Sequence, residues 1–100
     1  MSLRLPTFGR AARETGLDVL AAELAGESAA ALGGAGRKLE NALAELRAAA
    51  DPRDPQLVRA AADAALAYFV TREACGAIRQ DEAIRHFGIP GYVLARVGAR

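Results

Sequence analysis

Stepping 3.6 residues at a time from Leu17 lands on Ala21, Leu24, Ser28, Ala31 or Leu32, Ala35, Leu39, Ala42, Leu46 and Ala49. This apolar stripe, with a single hydroxyl in it, predicts one long amphipathic helix over residues 17–50. The charges Asp18, Glu23, Glu27, Arg37, Lys38, Glu40, Glu45 and Arg47 fall mostly off the stripe. The stretch has no proline, and Val19 is its only β-branched residue. Ala, Leu, Glu and Arg dominate it and lose little conformational freedom in a helix. Its weak point is Gly33-Gly34-Ala35-Gly36, because each interior glycine costs about 1 kcal/mol relative to alanine. The stripe keeps its phase on both sides of the glycines. The expectation is therefore one helix, roughly 50 Å long, bent and not broken at Gly33-Gly34. Gly26, Ala29, Ala30, Gly33 and Gly36 would let a second helix approach closely. Charges interrupt every window long enough to cross a bilayer, so this is not a transmembrane packing motif.

Asp51-Pro52-Arg53-Asp54-Pro55 ends the first helix, since two prolines in five residues cannot continue it. Asp54 as N-cap with Pro55 at N1 starts a second, expected to run to about Gln80. The short connection makes the pair an antiparallel hairpin. Leu57, Ala61, Ala64, Tyr68, Cys75 and Ile78 form one row, and Val58, Ala62, Ala65, Leu66 and Phe69 the next. So wide an apolar arc suits a helix with two neighbours. Asp81 to Phe87 reads as a short helix. Gly88-Ile89-Pro90 reads as a turn, with Gly88 left-handed and Pro90 preventing continuation. One or two helical turns follow over 91–97. Residues 1–16, with Pro6 and Gly9 as breakers and Arg4, Arg10 and Arg13 among few apolar anchors, read as a flexible arm. The expected architecture is an all-α domain over 17–100: a long hairpin with a short C-terminal pair resembling a helix-turn-helix.

Composition sharpens this picture. Alanine occurs 25 times and leucine 12, tryptophan is absent, and aromatic residues make up 5% of the chain. Alanines bury little area, and at about 25 cal/mol per Å² their core is thin. Small domains are marginal already, so self-association, as a homodimer, is expected to supply the missing burial. The net charge is +1 and is balanced in both halves, which leaves no global field for nucleic acid or anionic lipid. Arginine supplies 12 of the 13 basic residues, as a GC-rich bacterial coding bias would. The single cysteine, Cys75, excludes an internal disulfide and fits a reducing cytoplasm.

Three constellations could carry chemistry. In the first, residues 81–100, Ala83, Phe87, Ile89, Leu94 and Val97 sit at the apolar places of a helix-turn-helix around Gly88. However, Ile84 stands where a small residue is preferred. Arg85, Tyr92 and Arg96 would be the contacts to DNA. A helical hairpin closing one end of the bundle explains the same pattern and is preferred. In the second, Arg72 and Arg79 flank Cys75 at helical spacing, which could activate a thiolate. Yet Cys75 continues an apolar row, so a buried, inert thiol is expected, with Gly76 marking close helix approach and Arg72 and Glu73 pairing with another helix or subunit. In the third, Glu23 and Glu27 share a helix face, but only one histidine, His86, exists to complete a di-metal set. A solvated acidic edge is the simpler reading. No phosphate loop and no Ser/His/Asp set can be assembled, so neither an enzyme nor a cofactor is expected.

Residues 23–33 (Glu-Leu-Ala-Gly-Glu-Ser-Ala-Ala-Ala-Leu-Gly), 72–76 (Arg-Glu-Ala-Cys-Gly) and the Gly-Ile-Pro-(x)3-Leu-Ala-Arg-Val-Gly ending (88–98) resemble a family of small, uncharacterised bacterial all-helical proteins. The resemblance implies a helical fold and no known activity, ligand or catalytic residue. The functional expectation is a cytosolic, self-associating interaction or scaffold module, with a DNA-binding regulator using residues 81–100 as the alternative. The candidate interaction residues are Glu23, Glu27, Arg72, Glu73, Arg85, Tyr92 and Arg96.

Overall fold

Local stop and start signals divide the described residues into four helices: α1 (Phe8–Ala48), α2 (Pro55–Ala74), α3 (Asp81–Phe87) and α4 (Gly91–Leu94). The computed structural model describes the backbone of residues 8–99 and the side chains of residues 26–99. Among the described residues there is no strand, and the two long helices pack against each other. The fold is all-α, as the periodicity predicts.

α1 runs unbroken through Gly33-Gly34. It starts at Phe8, nine residues before the stripe was expected to begin. Residues 8–16 of the expected arm are thus helical, and Gly9 does not break the helix. One glycine costs about 1 kcal/mol, which does not stop a helix of this length. The rest of the expected arm, residues 1–7, lies outside the described residues.

The connection to α2 follows its local chemistry. The Asp54 carboxylate accepts hydrogen bonds from the backbone N–H of Gln56 at 2.9 Å and of Leu57 at 3.4 Å, with Pro55 opening the helix. α2 ends at Ala74 and not at Gln80. Gly76 explains the difference. Its φ of +100° is left-handed, and the N–H groups of Gly76 and Ala77 turn back to the carbonyls of Glu73 and Arg72. Gly76 is therefore a stop signal, not a mark of close helix approach. The same geometry ends α3, where Gly88 has φ +66° and Gly88 and Ile89 donate to the carbonyls of Arg85 and Ile84.

The core sits at the closed end of the hairpin. Leu39, Leu43 and Leu46 of α1 meet Val58, Ala61, Ala62 and Ala65 of α2, and Ile89 and Val93 cover the seam. No polar side chain is buried among the described residues. Higher up, the rings of Tyr68 and Phe87 meet edge to face, 4.9 Å between centroids, against the bare backbone of Gly36. α1 outruns its partner: α2 is 20 residues long against 41, and its end lies beside Ser28. The radius of gyration of 19.7 Å exceeds the roughly 13 Å of a compact chain of this length. No described helix is long and apolar enough to cross a membrane.

Two substitutions test this account by urea denaturation. Leu43→Ala, which empties a fully buried position, should cost about 2–5 kcal/mol. Gly33→Ala should stabilise by up to about 1 kcal/mol, because its new Cβ meets nothing nearer than the Arg37 side chain at 3.5 Å.

Candidate functional site

The two shortest helices, α3 and α4, cannot stand alone at seven and four residues. Side chains from the hairpin hold them. The Arg47 guanidinium, near the end of α1, donates to the carbonyls of Phe87 at 2.7 Å and Gly88 at 3.3 Å. It thereby caps the α3 C-terminus with a positive charge, where the helix dipole favours one. The Tyr92 hydroxyl donates to the Pro52 carbonyl at 2.8 Å. The Arg53 guanidinium lies 4.1 Å from the centre of the Tyr92 ring, a cation–π contact. Arg59 donates to the Ala99 carbonyl at 2.6 Å. Residues 81–99 therefore run back along the hairpin to its closed end.

At that end a concavity of about 380 Å³ opens between the start of α2 and α4. Arg53, Arg59 and Arg96 line it, with Tyr92, Pro55 and Val58 supplying apolar wall. No acidic residue lines it among the described residues. Two expected interaction residues, Tyr92 and Arg96, meet here. Arg53 and Arg59 were not singled out from the sequence. Their signal there was an arginine on either side of the Asp54-Pro55 helix start.

The remaining expected residues scatter. Arg72 is turned inward, donating through Nε to the Gln80 side chain at 3.0 Å and through a terminal nitrogen to the Arg79 carbonyl at 3.0 Å. It braces the α2–α3 connection. Glu73 and Glu27 are exposed, and the Glu23 side chain lies outside the described residues. Arg85 is exposed on α3 beside Arg79, Asp81 and Glu82. Arg96 lines the closed-end concavity and Arg85 a different one, and α4, which would be the recognition helix, is a single turn. Cys75 corrects an expectation: it is exposed, because α2 ends one residue before it. Its thiol points to the Ser28 carbonyl at 3.8 Å. No group of three metal-ligating side chains occurs among the described residues.

A family model matches residues 1–100. The chain belongs to DUF6665, a family of unknown function. No curated protein and no solved structure matches it. Membership of DUF6665 agrees with the resemblance read from the motifs and assigns no site, so the arginine-lined concavity rests on its geometry alone.

One electrostatic feature can be checked directly. The Arg79 guanidinium bonded to Asp81, together with a backbone hydrogen bond, holds that carboxyl below its usual 3.8. Lowering a carboxyl pKa in the folded state stabilises the fold above the unfolded value, and the contribution vanishes as pH falls through the folded one. Asp81→Asn should therefore lower the thermal midpoint at neutral pH. The gap to wild type should begin to narrow as pH falls through about 4, the unfolded value, and vanish below the lowered folded one; melts followed by circular dichroism across that range would show it.

Proposed function

We propose that this DUF6665 chain is a self-associating helical interaction module, two copies pairing through the outer face of α2. One observation carries the reading. Leu66 and Val70 lie one helical turn apart (i, i+4) with Ala67 between them on the same side, and all three are exposed. Leu66 is 39% and Val70 55% exposed. α2 thus carries a second apolar face that nothing in the described chain covers.

The surface beside it suits a second copy. A groove of about 500 Å³ runs between α1 and α2, floored by Ala31, Gly34, Ala35, Ala64 and Ala67. Lys38 and Asp63 also line it. A two-fold pairing brings the same patch together from both sides, so Lys38 of one copy can meet Asp63 of the other. Small residues let helix backbones approach, and burying Leu66 and Val70 adds the apolar area that an alanine-rich core lacks. The exposed free Cys75 supports a reducing, cytosolic setting for the module.

Sedimentation equilibrium provides the test. The wild-type chain should be dimeric at about 10 μM, and Val70→Asp, placed at an exposed position, should be monomeric with unchanged helicity. A wild-type chain still monomeric at about 100 μM, an association free energy weaker than about −5.5 kcal/mol, would end this reading.

A further inference from the structure

The arginines at the closed end have more capacity than their structural duties use. A guanidinium carries five N–H donors. Among the described hydrogen bonds, Arg59 spends one of its own on the Ala99 carbonyl, and the contact of Arg53 with the Tyr92 ring consumes none. Arg96 is exposed at the rim. Three cations thus face one concavity with no carboxylate in its wall among the described residues. The Asp54 carboxylate is engaged by the N–H groups of Gln56 and Leu57, so the helix end already has its anion. The attraction that remains is that of the guanidinium groups.

We propose that this concavity binds a small molecule bearing an oxyanion, a phosphate monoester or a carboxylate, on a compact apolar body. The forked guanidinium geometry matches the oxygens of either group. About 380 Å³ is at the lower end of small-molecule sites. Val58, Pro55 and the Tyr92 ring form an apolar wall for the body of the ligand. The site is held in place before binding: the Tyr92 hydroxyl is fixed to Pro52, its ring to Arg53, and Arg59 to Ala99. Preorganised donors lose less entropy when a ligand arrives. The site does not depend on the dimer, because neither Leu66 nor Val70 lines it.

Backbone amide shifts of the full ¹⁵N-labelled chain, titrated with phenyl phosphate, benzoate and neutral benzyl alcohol, test this. Phenyl phosphate or benzoate should shift amides of residues 53–59 and 92–96 saturably, and the tighter of the two identifies the oxyanion. Benzyl alcohol should not. Arg96→Ala and Arg53→Ala should each weaken binding about tenfold, the loss of one charge-assisted bond. Arg37→Ala, on the exposed surface of α1, should bind as wild type. Should Arg96→Ala prove misfolded by its spectrum, Arg96→Gln keeps the length and removes the charge. The proposal fails if all three probes shift the same amides equally, or if the arginine variants bind as wild type. It also fails if a random-sequence DNA duplex occupies these amides and phenyl phosphate cannot displace it. No shift with about 10 mM of either anion, a limit near −2.7 kcal/mol, overturns it as well.

Discussion

The fold depends on a seam of unequal partners. α2 contributes Ala61, Ala62 and Ala65, each fully buried and each only a methyl group. α1 contributes Leu39, Leu43 and Leu46, also fully or almost fully buried. One helix supplies room and the other supplies volume, so the seam can close tightly with few large side chains. Such a seam buries limited apolar area per residue, and it lies beside the C-terminal part of α1 alone. Everything nearer the open end is held by less: an aromatic pair on Gly36, then small residues on both sides of a groove.

The polar contacts compensate by linking elements far apart in sequence. Arg47, Arg59 and Tyr92 each donate to a backbone carbonyl about forty residues away. Each such bond nets roughly 0.5–1.5 kcal/mol, and together they fix α3 and α4, which have too few residues to hold themselves. Arginine suits this task because its long stem packs while its donors reach past the rim. The arginine excess was read as coding bias. At the closed end it is also structural, since Arg47, Arg53 and Arg59 all contact residues of the C-terminal segment.

What was legible in the sequence is what local chemistry decides. Asp54-Pro55 starts α2, and Gly88 ends α3, because each signal involves neighbours within a turn. The hairpin and the all-helical class followed from periodicity. Gly76 is ambiguous in the sequence because a glycine at close approach and a glycine in a left-handed turn look the same as letters; only φ separates them. The same ambiguity extends the apolar row to Cys75, which lies past the end of α2. Gly9 works in the opposite direction: as a letter it suggests a break, yet residues 8–16 are helical. Leu43 lies beside the narrow 3.6-residue stripe and is buried all the same, because a packed helix buries a broader arc. At the site, Tyr92 and Arg96 were picked out, but as DNA contacts. Arg53 and Arg59 flank the Asp54-Pro55 helix start, but only tertiary folding brings them to α4.

The structure separates two surfaces that the sequence mixed together. The outer face of α2 is apolar at Leu66 and Val70, with opposite charges at Lys38 and Asp63 beside it. That pattern suits a copy of itself, since like faces like across a two-fold axis. The closed end is cationic and concave, a pattern that repels its own copy and attracts an anion. Arg53 and Arg96 therefore have little to offer the self-pairing, and Leu66 and Val70 have little to offer the ligand. On the two proposed readings, assembly and ligand binding are therefore independent of each other. Coupling between the two functions would have to travel through α2 itself, whose first turns line the arginine concavity at Pro55, Val58 and Arg59 and whose later turns carry the exposed face.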